Sequence, residues 1–194
     1  MRKNFSSKSI NTSSMMKPQN AILQVSAIKA LVLELMLISI AVLMPILAHA
    51  LGISVRFWLP MHWSVILAGL VLGWRGGAIV GLFSPLVNFM ITGHPLPMIL
   101  PSMTFELFAY GFVTGFLKEK VNLAPWLSVA LAIVAGRLIF IASVLILGIV
   151  KGDFVTYLQQ ALLPGLLTGV IQILVLPNVA KWWINAFPPP SLKA

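Results

Sequence analysis

Six long apolar runs fill most of this 194-residue chain. They cover about Ala30 to Leu51, Leu59 to Trp74, Gly76 to Thr92, Ser102 to Leu117, Ala124 to Val150 and Ala161 to Ile184. Lipid cannot satisfy a bare peptide group, so spanning segments must be helices or the strands of a closed barrel. The runs lack the period-two alternation of barrel strands, which leaves helices. The expected fold is an all-α membrane protein, a bundle of six transmembrane helices. Composition agrees: 59% of residues are hydrophobic and only 9% are charged, against roughly 25% charged in soluble domains. The "GWRGG" turn, Gly73 to Gly77, separates the second and third runs, each near the lower limit of about 17 residues for a span.

Charge placement orients the bundle. The N-terminal tail with Lys29, the turn at Arg75, the loop with Lys118 and Lys120, and the tail with Lys181 and Lys193 fall on one face. The opposite face has only Arg56 and Lys151. The positive-inside rule makes the first face cytoplasmic, with both termini on it. The expected organisation is a disordered cytoplasmic tail over 1–20, a six-helix domain over 21–187 and a short cytoplasmic tail over 188–194. The net charge of +9 is explained by these tails and loops, so no nucleic-acid partner is expected. The "AHA" at Ala48 to Ala50 resembles a signal-peptidase site, but the apolar stretch before it is longer than the usual ~7–15 residues and contains Glu34 and Pro45. The absence of cysteine removes thiol catalysis, disulfides and thiolate metal sites.

Polar residues inside the runs are the candidate functional groups, because a charge at a helix centre costs about 2.5–3.5 kcal/mol on insertion scales. Side chains advance about 100° per residue. In the fourth run this gathers Glu106, Tyr110, Val113 and Thr114 on one face and Phe105, Phe108, Phe112 and Phe116 on the other. The phenylalanines suit lipid and the polar stripe suits the interior. Elsewhere the same spacing joins Arg137 with Ala130 and Gly148, and Gln172 with Thr168, Gly165 and Gly169. It also joins Asn88 with Ser84 and Thr92, and His62 with Gly69 and Gly73. With the orientation above, Glu106, Asn88, His62 and Tyr110 fall in the outer half, and Arg137 and Gln172 near the middle. Glu106 and Arg137 either pair with each other or grip a ligand. Asn88 and Gln172 suit interhelical hydrogen bonding or ligand contact equally. His62 and His94 are expected to be solvated or capping residues. The tryptophans at span ends read as interfacial anchors, with Trp63 also a candidate for ligand stacking. Glycines at 69, 73, 77 and 81, with the 111/115 and 165/169 pairs, permit close helix approach.

No Walker loop, H-E-x-x-H or G-x-S-x-G motif occurs, and three scattered histidines predict neither metal nor other cofactor. The segment from Leu59 to Leu117 carries the patterns H-W-x-V-x-L-A-G-L-x-L-G, G-L-x-S-P-L and M-x-x-E-L-x-x-Y-G. In these it resembles the substrate-binding S components of bacterial energy-coupling factor (ECF) transporters. The resemblance implies a non-enzymatic subunit of the plasma membrane that binds a vitamin or related micronutrient from outside. It further implies docking on a membrane coupling subunit carrying two ATPases. Carried onto this sequence, the pocket candidates are Glu106, Tyr110, Arg137, Thr168 and Gln172, joined from the residue reading by Asn88, His62, Trp63 and His94. The loop from Thr92 to Pro101 is a candidate lid. The family's small-residue docking motif has a looser counterpart in Ser26 and Ala30, on the helix that also carries Glu34. Two other readings stay open on the residues alone: an intramembrane enzyme using Glu106 with His62 or His94, and an oligomeric channel or scaffold built through the glycine faces.

Overall fold

The computed structural model of the chain describes residues 22–23, 26–52, 58–150 and 152–186. The expected tails, Arg56, Lys151 and Lys193 lie outside the described residues. Among those described there are five helices and no strand: α1 (Ala27–Ala50), α2 (Pro60–Thr92), α3 (Leu100–Glu119), α4 (Pro125–Ile146) and α5 (Phe154–Ala186). Four of them, all but α3, are long and apolar enough to cross a membrane. The polar load of α3, with Glu106, Lys118 and Glu119, sets it apart.

The second and third apolar runs both fall within α2, which is interrupted at Gly73 (φ 78°, ψ −170°). A positive φ of this size is a conformation glycine adopts without the Cβ clash other residues meet. The two arms fold back on each other: a Cβ built on Gly77 would lie 2.8 Å from the Gly69 Cα. Eight residues along an unbroken helix would be about 12 Å apart. The same Cβ would also collide with the Gly111 carbonyl, and one on Gly81 with the Leu107 carbonyl. The glycines of α2 and α3 therefore bring three helical segments into backbone contact, as small residues do where helices pack in lipid.

The break exposes backbone groups that a continuous helix would pair. Residues at the end of α3 satisfy them. Lys118 Nζ donates to the Leu70 carbonyl, and the Trp74 N–H donates to Glu119 Oε2 at 3.3 Å. The Leu23 N–H adds a bond to the Val71 carbonyl at 3.0 Å. A cation thus faces the C-terminus of the first arm and an anion the N-terminus of the second, the favourable sense for both helix dipoles.

Other boundaries follow local chemistry. Proline opens α2 and α4 at Pro60 and Pro125, where its missing N–H has no partner to lose. Gly93 (φ 72°) ends α2, its N–H bonded to the Phe89 carbonyl. The sixth run was expected from Ala161, but α5 begins at Phe154 because Asp153 caps it, accepting from the Val155 and Thr156 amides. The fifth run was expected to reach Val150, yet α4 ends at Ile146. Gly148 lies beyond it with φ 58° and does not share the Arg137 face.

The phenylalanine face of α3 is outermost: Phe105, Phe108 and Phe116 are exposed, and Phe108, Phe112 and Phe116 stack at 5.7 Å spacings. The core forms where α2, α3 and α4 meet, around Val65, Ile66, Leu70, Leu107, Tyr110 and Val129. Helix α1 leans on α2 through Leu37, Ala41, Val42, Pro45 and Ala48. Its other flank, including Leu31, Val32, Leu35 and Leu43, is exposed.

Candidate substrate-binding site

Glu106 is the centre of a buried cluster. It is 3% exposed, and its Oε1 lies 2.9 Å from Arg137 Nη1 and accepts from Tyr110 Oη at 2.7 Å. His62 Nε2 is 3.9 Å from the same oxygen, and the His62 ring lies 5.0 Å from the Tyr110 ring. Four residues expected in the site therefore converge from three helices. Tyr110 reaches Glu106 because it stands one turn further along the same helix face. Arg137 arrives from α4, whose Gly136 packs on the Tyr110 ring; a Cβ there would strike it.

His62, expected to be solvated or to cap a helix, does neither. It is 4% exposed, because the start of α2 packs directly against α3. Neither ring nitrogen has a hydrogen-bond partner among the described residues.

The Arg137 guanidinium also faces α5. A Cβ on Gly165 would lie 2.5 Å from its Nη2, and the Leu59 side chain closes the same spot. One turn further along α5, Thr168 lines a cavity of about 180 Å³. Its other walls are Trp58, Trp63, Pro164, Leu167 and Ile171. Trp63 Nε1 donates to the Trp58 carbonyl at 3.0 Å, which fixes the Trp63 indole against the Trp58 backbone. Gln172, another turn along, is 1% exposed, and its Nε2 has no partner among the described residues.

Asn88 and His94 belong elsewhere. Asn88 Nδ2 donates to the His94 carbonyl at 2.8 Å, and the His94 N–H donates to Thr92 Oγ1 at 3.2 Å. This ties the loop after α2 to the helix end. The His94 ring is exposed and lies 6.2 Å from the His49 ring of α1. On α1, Ser26 is exposed, Ala30 is half-buried, and Glu34 turns toward Gly76 of α2.

Sequence reasoning missed Trp58 as a cavity wall, having taken it for an anchor. Its signal was the spacing to Trp63 across the Leu59–Pro60 helix start, which puts both indoles at one helix end. It read Gly165 as a close-packing glycine without the Arg137 side chain it makes room for, and passed over Gly136, which makes room for the Tyr110 ring.

A membrane-embedded helical bundle that buries an ion pair beside an aromatic cavity is suited to holding a solute. Residues 29–187 match the family model described as ECF transporter, substrate-specific component. The chain belongs to that family and is a transmembrane, substrate-binding transport subunit. No curated protein and no solved structure matches it.

Proposed function

We propose that this chain captures a vitamin or related micronutrient at the outer face of a bacterial plasma membrane and delivers it inward by docking on a coupling subunit with two ATPases. The observation that carries the reading is the contiguity of two features. The buried Glu106–Arg137–Tyr110 cluster adjoins, through Gly165 of α5, the cavity walled by Trp58, Trp63 and Thr168. The indoles stack on a planar part of the ligand. The Gln172 amide and the Arg137 face turned from Glu106 meet its polar end. Because Glu106 neutralises Arg137, the pocket favours a ligand with little net charge.

In this reading the two arms of α2 count as separate spans and α3, packed between α2 and α4, counts as a further one, which gives six. Lys29, Arg75, Lys118, Lys120 and Lys181 all lie at the end of the bundle where Gly73 turns. The opposite end carries no lysine or arginine among the described residues. The basic end is therefore cytoplasmic, with both termini there. The first arm, from Pro60 to the Gly73 break, is about 20 Å long at 1.5 Å per residue. A hydrocarbon core is about 30 Å thick, so Trp63 and His62 sit below the outer surface and the pocket is recessed.

The 21–187 segment forms the binding domain, with the start of α1, at the exposed Ser26 and the half-buried Ala30, as its docking surface. The loop from Thr92 to Pro101 is the lid, hinged where Asn88 and Thr92 hold His94. A scaffold assembled through glycine faces is disfavoured, since Gly69, Gly77, Gly81, Gly111 and Gly115 are consumed by packing within the chain.

Mass spectrometry of the chain purified in detergent tests the reading. A co-purified heterocyclic small molecule, lost on Trp63→Ala and on Arg137→Ala, is expected. Retention by both variants would place the pocket elsewhere.

A further inference from the structure

A second cavity, of about 220 Å³, opens at the other end of the bundle, between the α3–α4 connection and the last turns of α5. Its walls include Lys118, Trp126, Asn178, Lys181 and Asn185, and no carboxylate lines it among the described residues. Lys118 is 2% exposed, and its ammonium is fixed by the Leu70 carbonyl. Lys181 is exposed and makes no ion pair among the described residues. The start of α4 forms another wall, and its N-cap residue, Ala124, offers no side-chain acceptor to the first-turn amides. The exposed Lys181 ammonium and a positive helix end therefore meet in one recess, with Lys118 in its wall, which selects an anion.

We propose that this recess holds the phosphate headgroup of an anionic phospholipid. Its place at the helix ends, between exposed tryptophans and an apolar flank, favours lipid over a soluble anion. Trp126 and Trp182, 56% and 71% exposed, stand at this end of the bundle as residues of the headgroup level do. Directly along the helices from them, α4 and α5 expose Leu131, Val134, Val170 and Leu174, an apolar flank for acyl chains. Basic pockets between helix ends are a recurrent form of headgroup site. The site is separate from the solute cavity and does not depend on what that cavity binds.

The test is native mass spectrometry of the full chain, stripped in detergent and titrated with phosphatidylglycerol or phosphatidylcholine. One phosphatidylglycerol per chain should be retained, and phosphatidylcholine should not. Lys181→Ala should lower affinity about five-fold, the equivalent of roughly 1 kcal/mol for one basic residue near an anionic surface. Lys29→Ala removes the same charge from the same end of the bundle, outside the recess, and should leave affinity unchanged. Equal loss in both variants would mean diffuse attraction and overturn the site. So would equal retention of phosphatidylcholine, or an unaltered affinity in Lys181→Ala. Displacement of the lipid by millimolar inorganic phosphate would reassign the recess to a soluble anion and overturn the proposal as stated.

Discussion

Glu119 accepts a hydrogen bond from the Trp74 amide, 45 residues away in the chain. With its neighbour Lys118 on the Leu70 carbonyl, it lets α2 reverse at a single glycine without leaving both sides of the break unpaired. The carboxylate does the work of an N-cap side chain from another helix. Glu119→Ala should lower stability by about 1 kcal/mol, the typical loss for a missing cap. Thermal melting in detergent measures it, and Glu119→Gln should recover part of the loss through its amide oxygen.

The Glu106–Arg137 pair makes a sharper prediction. Removing one partner leaves a buried charge alone, at a cost of about 3–5 kcal/mol. Arg137→Met should therefore destabilise strongly. The double variant Glu106→Gln, Arg137→Met should regain most of that stability, because no charge is left behind. Ligand affinity should stay low in both. Thermal melts with and without ligand separate the two effects.

Helix contact through glycine differs by position. Gly111→Ala would drive a methyl into the Gly77 carbonyl, while a Cβ at Gly169 finds its nearest neighbour, Ile133, at 3.8 Å. The first change should prevent a stable fold, read as loss of a monodisperse gel-filtration peak. The second should leave the melting temperature and the elution profile unaltered.

Asp153, outside the helices, carries a pH dependence. The Thr156 hydroxyl, then the Val155 amide, hold its carboxyl below the ordinary value of 3.8. A depressed folded value means the cap contributes above pH 3.8 and fades as pH falls through the lower, folded value. The protection factors of the Val155 and Thr156 amides, each taken against the intrinsic exchange rate at the same pH, should be high at neutral pH and fall on acidification across that window. Asp153→Ala should abolish the pH dependence.

The polar stripe of α3 was legible from helical spacing alone, since Glu106 and Tyr110 stand one turn apart on a face free of phenylalanine. The arrival of Arg137 was not, because no periodicity relates α4 to α3; only the two charges in apolar runs hinted at a pair. His62 reads as solvated or capping because it lies near the start of its apolar run, and its burial depends on where that start docks. Asn88 had the right burial and the wrong neighbours: it ties down a loop. Lys118 read as an ordinary loop charge that marks topology, and Glu119 beside it gave no signal. Their targets, Leu70 and Trp74, are backbone groups, and backbone groups leave no trace in sequence.

The break at Gly73 also bears on biosynthesis. When the two arms of α2 leave the ribosome, Lys118 and Glu119, which satisfy the Leu70 carbonyl and the Trp74 amide, have not yet emerged. An isolated hairpin would leave that carbonyl and that amide to water at its turn. The close packing of the three segments from Pro60 to Glu119 should thus be completed in one step, when the last of them emerges and its two end residues displace that water.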